Sequence, residues 1–433
     1  MSLFNREEVI DQNFTRWVVA GEFPKAKAKL YLPQDDIRKT DLISIFESQV
    51  ISRHIDIKAR ELKDKGDCFY TIGSSGHEGN AVFGRFFPYH DMAFLHYRSA
   101  PFFLERSKQI SNSTPIHDMA LSFMASSEDP ISGGRHKVIG SEVLNIPPQT
   151  STIASHLPKA VGTAFSIDRA RDLALSESKL FNESIVLCSF GDASANHAAA
   201  LSAFNTACWV SSQGGHVPIV FICEDNGTGI SVPTDGKWIE NNFSNKYGMQ
   251  YLKADGLHLI DLIVKTKEAE KICRLNRTPV FLHMETIRLM GHAGSDVEVG
   301  YRNIKEIEKD EANDPLIHSA RIMIENNCLT NEEVASLYEQ KRAQVGHVFE
   351  NATSRPKLNK VDEVMSTIIS NKHVRTRPQY PSNDSREKIF GKEFGRLKLP
   401  HHMGKLINYA LTDILLQYSN TVIFGEDVAQ KGG

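Results

Sequence analysis

The sequence predicts an α/β protein: a parallel sheet with helices on both faces. Three observations carry the prediction. Short apolar β-runs fall at Ile185–Phe190, Pro218–Cys223 and Val280–Thr286. Helical patterns separate them, an Ala-rich one over His197–Ser211 and an amphipathic one over Leu257–Cys273. Each run ends in a polar loop rich in glycine or other small residues. Strand–helix alternation of this kind implies crossover connections within one parallel sheet. In such sheets ligands bind beyond the carboxyl ends of the strands.

The other elements follow in order. Residues 1–40 are polar and irregular and are expected to form an arm. From Asp41 to Lys63 the apolar positions Leu42, Ile45, Phe46, Val50 and Ile51 recur at helical spacing. Tyr70–Gly79 (YTIGSSGHEG) reads as a turn. Ala154–Leu175 is a helix with a first-turn proline, Pro158. Lys305–Asp314 is a solvated charged face, and Thr330 with Glu333 forms a capping box that opens a helix. The main domain is therefore placed at 41–354. Residues 355–402, with Pro356, Pro378, Pro381 and Pro400, read as a linker. Residues 403–433 read as the start of a further domain, with a helix over Met403–Gln417 and a β-run over Val422–Phe424.

Composition narrows the function class. The 433 residues are 41% hydrophobic and 24% charged, ordinary globular values. Lys plus Arg is 50 and Asp plus Glu is 53, for a net charge of −3. No bulk charge favours nucleic acid, so an anionic ligand needs a metal or a few placed cations. No apolar run approaches the ~18 residues of a membrane helix. The six cysteines form no CxxC pair and sit mostly in apolar runs, which suggests a reducing compartment. MSLFNREEVIDQNF shows no secretory pattern, and a cytoplasmic location is expected.

The loops carry the candidate chemistry. Gly191-Asp192-Ala193-Ser194 follows a β-run and precedes a helix, a place suited to phosphate. Asp192 is either a helix cap or, with a cation between it and the phosphate, a Mg²⁺ ligand. Glu224-Asp225-Asn226-Gly227-Thr228-Gly229 is either a strand-end turn or a source of hard oxygen ligands, the Asn226 carboxamide and the Thr228 carbonyl. Gly291-His292-Ala293-Gly294-Ser295-Asp296 places a histidine, structural or catalytic, beyond the third run. Tyr97-Arg98 is either a surface pair or a phosphate grip. Three such loops in one sheet favour a metal–diphosphate site.

These residues resemble a known family. Gly191-Asp192-Ala193 through Asp225-Asn226 is similar to the thiamine diphosphate signature. More widely, the chain resembles the α-type subunit of 2-oxo acid dehydrogenase E1 components over about residues 40–350. The likeness runs through YTIGSSGHEGNAVFG (70–84), HYRSAPFFLERS (96–107), SGGRHKVIGSEVLNI (132–146), ASHLPKAVGTAFS (154–166), ADGLHLIDLIVKTKEAEKI (254–272) and ETIRLMGHAGSDVEVGYR (285–302). Met403–Gly433, ending FGEDVAQKGG, resembles the start of the β-type subunit, as in an α–β fusion.

The resemblance implies a thiamine diphosphate-binding fold and the following roles. Asp192, Asn226 and the Thr228 carbonyl bind Mg²⁺. Tyr97, Arg98 and Gly191, Asp192, Ala193 and Ser194 hold the diphosphate. Ile153 props the bent cofactor, and His292 assists acyl transfer to the lipoyl group of an E2 partner. The substrate is a small 2-oxo acid. The segment YTIGSSGHEG favours the branched-chain branch (3-methyl-2-oxobutanoate), with pyruvate, acetoin or a transketolase-like transfer as alternatives. The activating glutamate and the pyrimidine pocket would belong to the β-type half, so the chain alone is expected to be inert and the fusion to dimerise. A module that keeps the fold without cofactor is disfavoured by the presence of Asp192, Asn226, Arg98 and His292. A dinucleotide-binding domain is disfavoured because GSSGHEG follows no clear strand.

Departures from the family pattern are local. Ala193 replaces a glycine and Asp225 an asparagine, and the segment Ser211–His216 carries extra residues. The family's histidine in the 132–146 stretch has no counterpart: His136 is displaced and the matching column is Val138. Ala293 stands where regulated relatives carry a phosphorylated serine.

Overall fold

The computed structural model describes residues 5–23, 37–175, 183–368, 380–425 and 428. Two compact units emerge. The first comprises Met1–Ile167 and Leu180–Val364, and the second Asp168–Lys179 and Met365–Gly433.

The first unit is built on the expected sheet. Its strands are β1 (Met92–Phe94), β2 (Val186–Gly191), β3 (Ile219–Asp225), β6 (Gln250–Asp255) and β7 (Val280–Glu285), with a two-residue hairpin β4 (Thr228–Gly229) and β5 (Val232–Pro233) between β3 and β6. All sheet pairs are parallel, in the order β1-β2-β3-β7-β6. The apolar runs are explained by burial on both faces. Leu187, Val220, Ile222, Val280 and Leu282 enter one core with Ile45 and Phe46 of helix Lys39–Asp64. Val186, Cys188, Phe190, Phe221 and Phe281 enter a second core with Leu157 and with Phe204 of helix Ala198–Ser212. There Phe204 meets Phe221 edge-on at 4.9 Å, and Phe243 stacks on Phe281 at 4.4 Å. Helix Leu259–Asn276 connects β6 to β7.

Several expectations needed revision. The arm contains a packed helix, Arg6–Ala20, whose Val9, Ile10, Phe14 and Val18 are buried. Phe14 stacks on Tyr338 at 4.1 Å, and Arg6 pairs with Glu311. The apolar spacing is helical, but the surrounding charges and amides mask it. Residues 24–36 of the proposed arm lie outside the described residues. Strands β1 and β6 lacked a sequence signal because both are edge strands; β1 has three residues and β6 is mostly half-buried. The helix expected over Ala154–Leu175 spans His156–Asp172, with Pro158 in its first turn. The capping box of Thr330 and Glu333 is formed in both directions.

The proposed linker contains short helices at Val361–Met365 and Asn383–Phe390 and a 3₁₀ stretch over Gly391–Arg396. Its residues 369–379 lie outside the described set. In the second unit, helix Met403–Gln417 is present. Arg386 holds Asp413 through two bonds of 2.8 and 3.0 Å, and the Tyr409 hydroxyl donates to Glu393 at 2.9 Å. Val422–Phe424 is not a strand, since no neighbouring strand pairs with it among the described residues. Most of EDVAQKGG lies outside the described residues. No helix among the described residues is long and apolar enough to cross a membrane.

Candidate active site

The loops after β2, β3 and β7 open onto one cavity of about 390 Å³. Gly191, Asp192, Ala193, Ser194, Asn226, Thr228, Tyr97, Ile153 and His292 all line it. Arg98, the tenth predicted residue, stands behind this wall. It is buried, its Nη1 donates to the Gly73 carbonyl at 2.6 Å and its Nη2 to the His292 carbonyl at 2.9 Å. Its guanidinium lies 5.1 Å from the Tyr97 ring centroid.

Local structure explains each placement. After Gly191 the chain makes a 3₁₀ turn, Asp192–Asn196, before helix Ala198–Ser212 begins, so the loop is longer than a strand opening directly into an α-helix. The β4–β5 hairpin folds Thr234 back, and its hydroxyl donates to Asp192 Oδ2. Asp192 is only 3% exposed. Burial, and then the charge of Asp225, push its carboxyl upward, while the Thr234 hydroxyl opposes them. Asp225 is itself engaged: its Oδ2 meets His283 Nε2 at 2.8 Å, and His283 Nδ1 meets the Tyr251 hydroxyl at 2.7 Å. The aspartate that replaces an asparagine in the resemblance thus has a histidine partner on β7.

A buried chain of polar groups underlies Asn226. His77 Nδ1 donates to Glu224 Oε2 at 2.6 Å, with both side chains fully buried. The Asn226 Nδ2 donates to His77 Nε2 at 3.0 Å, and the Thr228 amide donates to Asn226 Oδ1 at 3.1 Å. Burial pushes the His77 imidazole down to about 4, so the ring is neutral with its proton on Nδ1. The turn that carries His77 is anchored from helix Lys39–Asp64. Asp56 accepts the Ser74 and Ser75 amides at 2.7 and 2.8 Å, and buried Arg53 bridges Glu78 and Asp314.

The histidine loop is pinned through its backbone. The His292 amide donates to Asp296 Oδ2 at 2.6 Å, and Tyr301 donates to the same oxygen. Burial, with the charges of Arg98 and Arg288, pushes the His292 imidazole down to about 4. Its Nδ1 lies 3.3 Å from Arg98 Nη2, which is a donor, so the ring accepts there and carries its proton on Nε2.

These residues fit a diphosphate held through a divalent cation. A buried carboxylate with only a hydroxyl as side-chain partner, a carboxamide oxygen and a small-residue loop share one cavity. That set is hard and oxygen-rich, as Mg²⁺ requires. His96, Lys137, Tyr70 and Ile72 also line the cavity and were not picked out from the sequence. His77, Glu224, His96 and Lys137 all lie within or beside quoted motifs, but no spacing rule separates them from neighbours that point elsewhere.

The sequence profile described as Dehydrogenase E1 component matches residues 47–361. The chain is 23% identical over 408 residues to the human mitochondrial 2-oxoisovalerate dehydrogenase subunit alpha, covering 89% of this chain and 84% of that one. It is 24% identical over 322 residues to the Bacillus subtilis (strain 168) 2-oxoisovalerate dehydrogenase subunit alpha, covering 73% and 92%. To the mitochondrial pyruvate dehydrogenase E1 component subunit alpha of Dictyostelium discoideum it is 28% identical over 175 residues, covering 40% and 45%. With a profile match across most of its length, on the strands and loops that build the cavity, the chain belongs to the dehydrogenase E1 component family, an oxidoreductase family whose membership implies thiamine diphosphate.

Proposed function

We propose that this chain is the α-type part of an E1 component that decarboxylates a branched-chain 2-oxo acid, 3-methyl-2-oxobutanoate, and passes the acyl group to the lipoyl group of an E2 partner. The observation that carries the reading is the convergence of the Gly191–Ser194, Asn226–Thr228 and His292 loops on one cavity. The names of the 2-oxoisovalerate relatives support the branched-chain substrate. The pyruvate-named relative favours pyruvate as the second reading.

Thiamine diphosphate, when bound, supplies the electron sink for loss of CO₂. The chain's own residues hold and orient it. Asp192, Asn226 and the Thr228 carbonyl would bind Mg²⁺, and the Gly191–Ser194 loop and Tyr97 would face the diphosphate. Arg98 contributes its charge from behind, while it fixes the backbone of His292. Neutral His292 presents Nε2–H as a donor for the acyl-transfer step. Ile153, 46% exposed, offers an apolar prop.

The pyrimidine side of the site belongs to a β-type partner. The likeness of residues 403–433 to the start of such a subunit supports an α–β fusion that dimerises. Five buried free thiols suit a reducing compartment, and a cytoplasmic location is part of the proposal. The test is to assemble the chain with its β-type half and compare 3-methyl-2-oxobutanoate, pyruvate and acetoin with an artificial electron acceptor. The highest kcat/KM is expected for the first. A clear preference for pyruvate would replace the substrate, and turnover independent of thiamine diphosphate would overturn the reading.

A further inference from the structure

Lys137 lies in the stretch where the family's histidine has no counterpart. The residues on either side of it are not part of the cavity wall. His136 is exposed and meets the Ser151 hydroxyl, and Val138 is buried with its amide on Ser122. Of these three, only Lys137 lines the cavity. Its Nζ lies 4.6 Å from the Phe123 ring centroid and makes a long 3.4 Å contact with the Ile72 carbonyl.

Among the described residues no carboxylate forms an ion pair with Lys137. Asp56, on helix Lys39–Asp64, attracts it, and Arg98 repels it. Asp56 is already committed to the Ser74 and Ser75 amides and the Ser75 hydroxyl. Burial pushes the Lys137 ammonium down to about 8, which leaves it a cation at neutral pH. A half-buried charge without a counter-ion is costly to keep. On a cavity wall, an incoming anion removes that cost.

We propose that Lys137 binds the carboxylate of the substrate acid, so that the corner of the cavity beside Ile72 is the anionic end of the substrate pocket. The inference rests on the 2-oxo acid reading above. The other anion in the site, the diphosphate, has its own wall at Gly191–Ser194. An ammonium on the departing carboxylate stabilises bound substrate at least as much as the transition state. Lys137 therefore acts on KM and not on kcat.

The test uses the enzyme assembled with its β-type half, as wild type, Lys137→Met and Lys137→Arg. Thiamine diphosphate affinity with Mg²⁺, and KM and kcat for the preferred 2-oxo acid, are measured for each. Lys137→Met is expected to raise KM about tenfold or more, the scale of a lost charge-assisted contact. Cofactor affinity and kcat should hold, and Lys137→Arg should restore most of the KM. The wild-type kcat/KM should fall above about pH 8, a limb that Lys137→Met lacks. Tyr70 and His292 share the cavity, but His292 titrates on the acid side and Tyr70 is raised above its usual value. An unchanged KM in Lys137→Met overturns this assignment and leaves the function standing. A weakened cofactor affinity with unchanged KM overturns it in favour of the diphosphate. A wild-type enzyme that decarboxylates no 2-oxo acid overturns both readings.

Discussion

Asn226 donates through Nδ2 to His77 Nε2 at 3.0 Å, so the ring of His77 decides which atom of the carboxamide is left for the cavity. The ring can accept that bond because its other nitrogen gives its proton to Glu224. Turned over, the amide would set its oxygen against the His77 Nε2 lone pair, two acceptors face to face, and its Nδ2 donor against the Thr228 amide. Partners of this kind orient ligands without touching the ion.

His77→Leu should therefore weaken divalent-cation binding by about 10–100-fold. His77→Gln, whose amide can both donate and accept, should recover much of it. Mn²⁺ titration by electron paramagnetic resonance with thiamine diphosphate present reads the effect directly. Wild-type Mn²⁺ affinity in folded His77→Leu would show that Asn226 needs no such support.

Asp192→Ala removes the one buried carboxylate on the proposed cation wall. A charge-assisted contact is worth roughly 1.5–3 kcal/mol, so cofactor affinity should drop at least about tenfold. Isothermal calorimetry with Mg²⁺ measures it. If affinity is unchanged, the cation sits elsewhere.

His292→Ala should separate binding from transfer. The backbone at 292 is fixed by Asp296 and Arg98, not by the imidazole alone, so the loop should stay in place. Lipoyl acylation should fall well below wild type while cofactor affinity changes little. Equal acylation rates in mutant and wild type would reduce His292 to a structural role.

Acid should destabilise the fold through histidines whose charging burial opposes, among them the buried His54 and the half-buried His156. Burial holds His54 down to about 3 and His156 to about 4, against about 6.5 unfolded. Below about pH 6.5 the unfolded chain binds protons that the folded one refuses. Stability is thus full above that pH and is lost as the pH falls toward 4, with a slope approaching about 1.4 kcal/mol per pH unit for each histidine. Urea melts at pH 7.5, 6 and 5 would show it. His54→Phe, placed against Tyr338, should remove about one proton from that slope. An unaltered slope would mean that His54 is protonated in the folded state.

Much of the architecture was legible because the central strands are buried on both faces, so β2, β3 and β7 wrote themselves as unbroken apolar runs. Edge strands carry no such signature, and β1 and β6 were invisible for that reason. Helix Arg6–Ala20 was missed although Val9, Ile10, Phe14 and Val18 are spaced for it, because the charged residues between them dilute the pattern. In the site, loops announced themselves through glycine and small polar residues after strands. The direction in which a side chain points did not: His136, Lys137 and Val138 are adjacent in sequence and go to solvent, cavity and core. Pairings across the fold, such as His77 with Glu224 or Asp225 with His283, depend on sheet register and have no local signal.

The histidine loop is fastened to the turn before His77 largely by main-chain atoms. The Leu289 amide donates to the Ser75 carbonyl at 3.1 Å and the Gly294 amide to the Thr71 carbonyl at 2.9 Å, while the Thr286 hydroxyl donates to the Gly76 carbonyl at 2.6 Å. A seam of this kind has few side chains to lose, so it tolerates drift in sequence at most positions along it. Its fragility is concentrated in two glycines. A Cβ on Gly76 would lie 2.3 Å from the Ile287 carbonyl oxygen, and one on Gly294 would lie 1.8 Å from Thr71 Oγ1. Random mutagenesis of the two segments should therefore return a map that is mostly blank, with intolerance spiking at 76 and 294 and at any proline that silences the amide of Leu289 or Gly294.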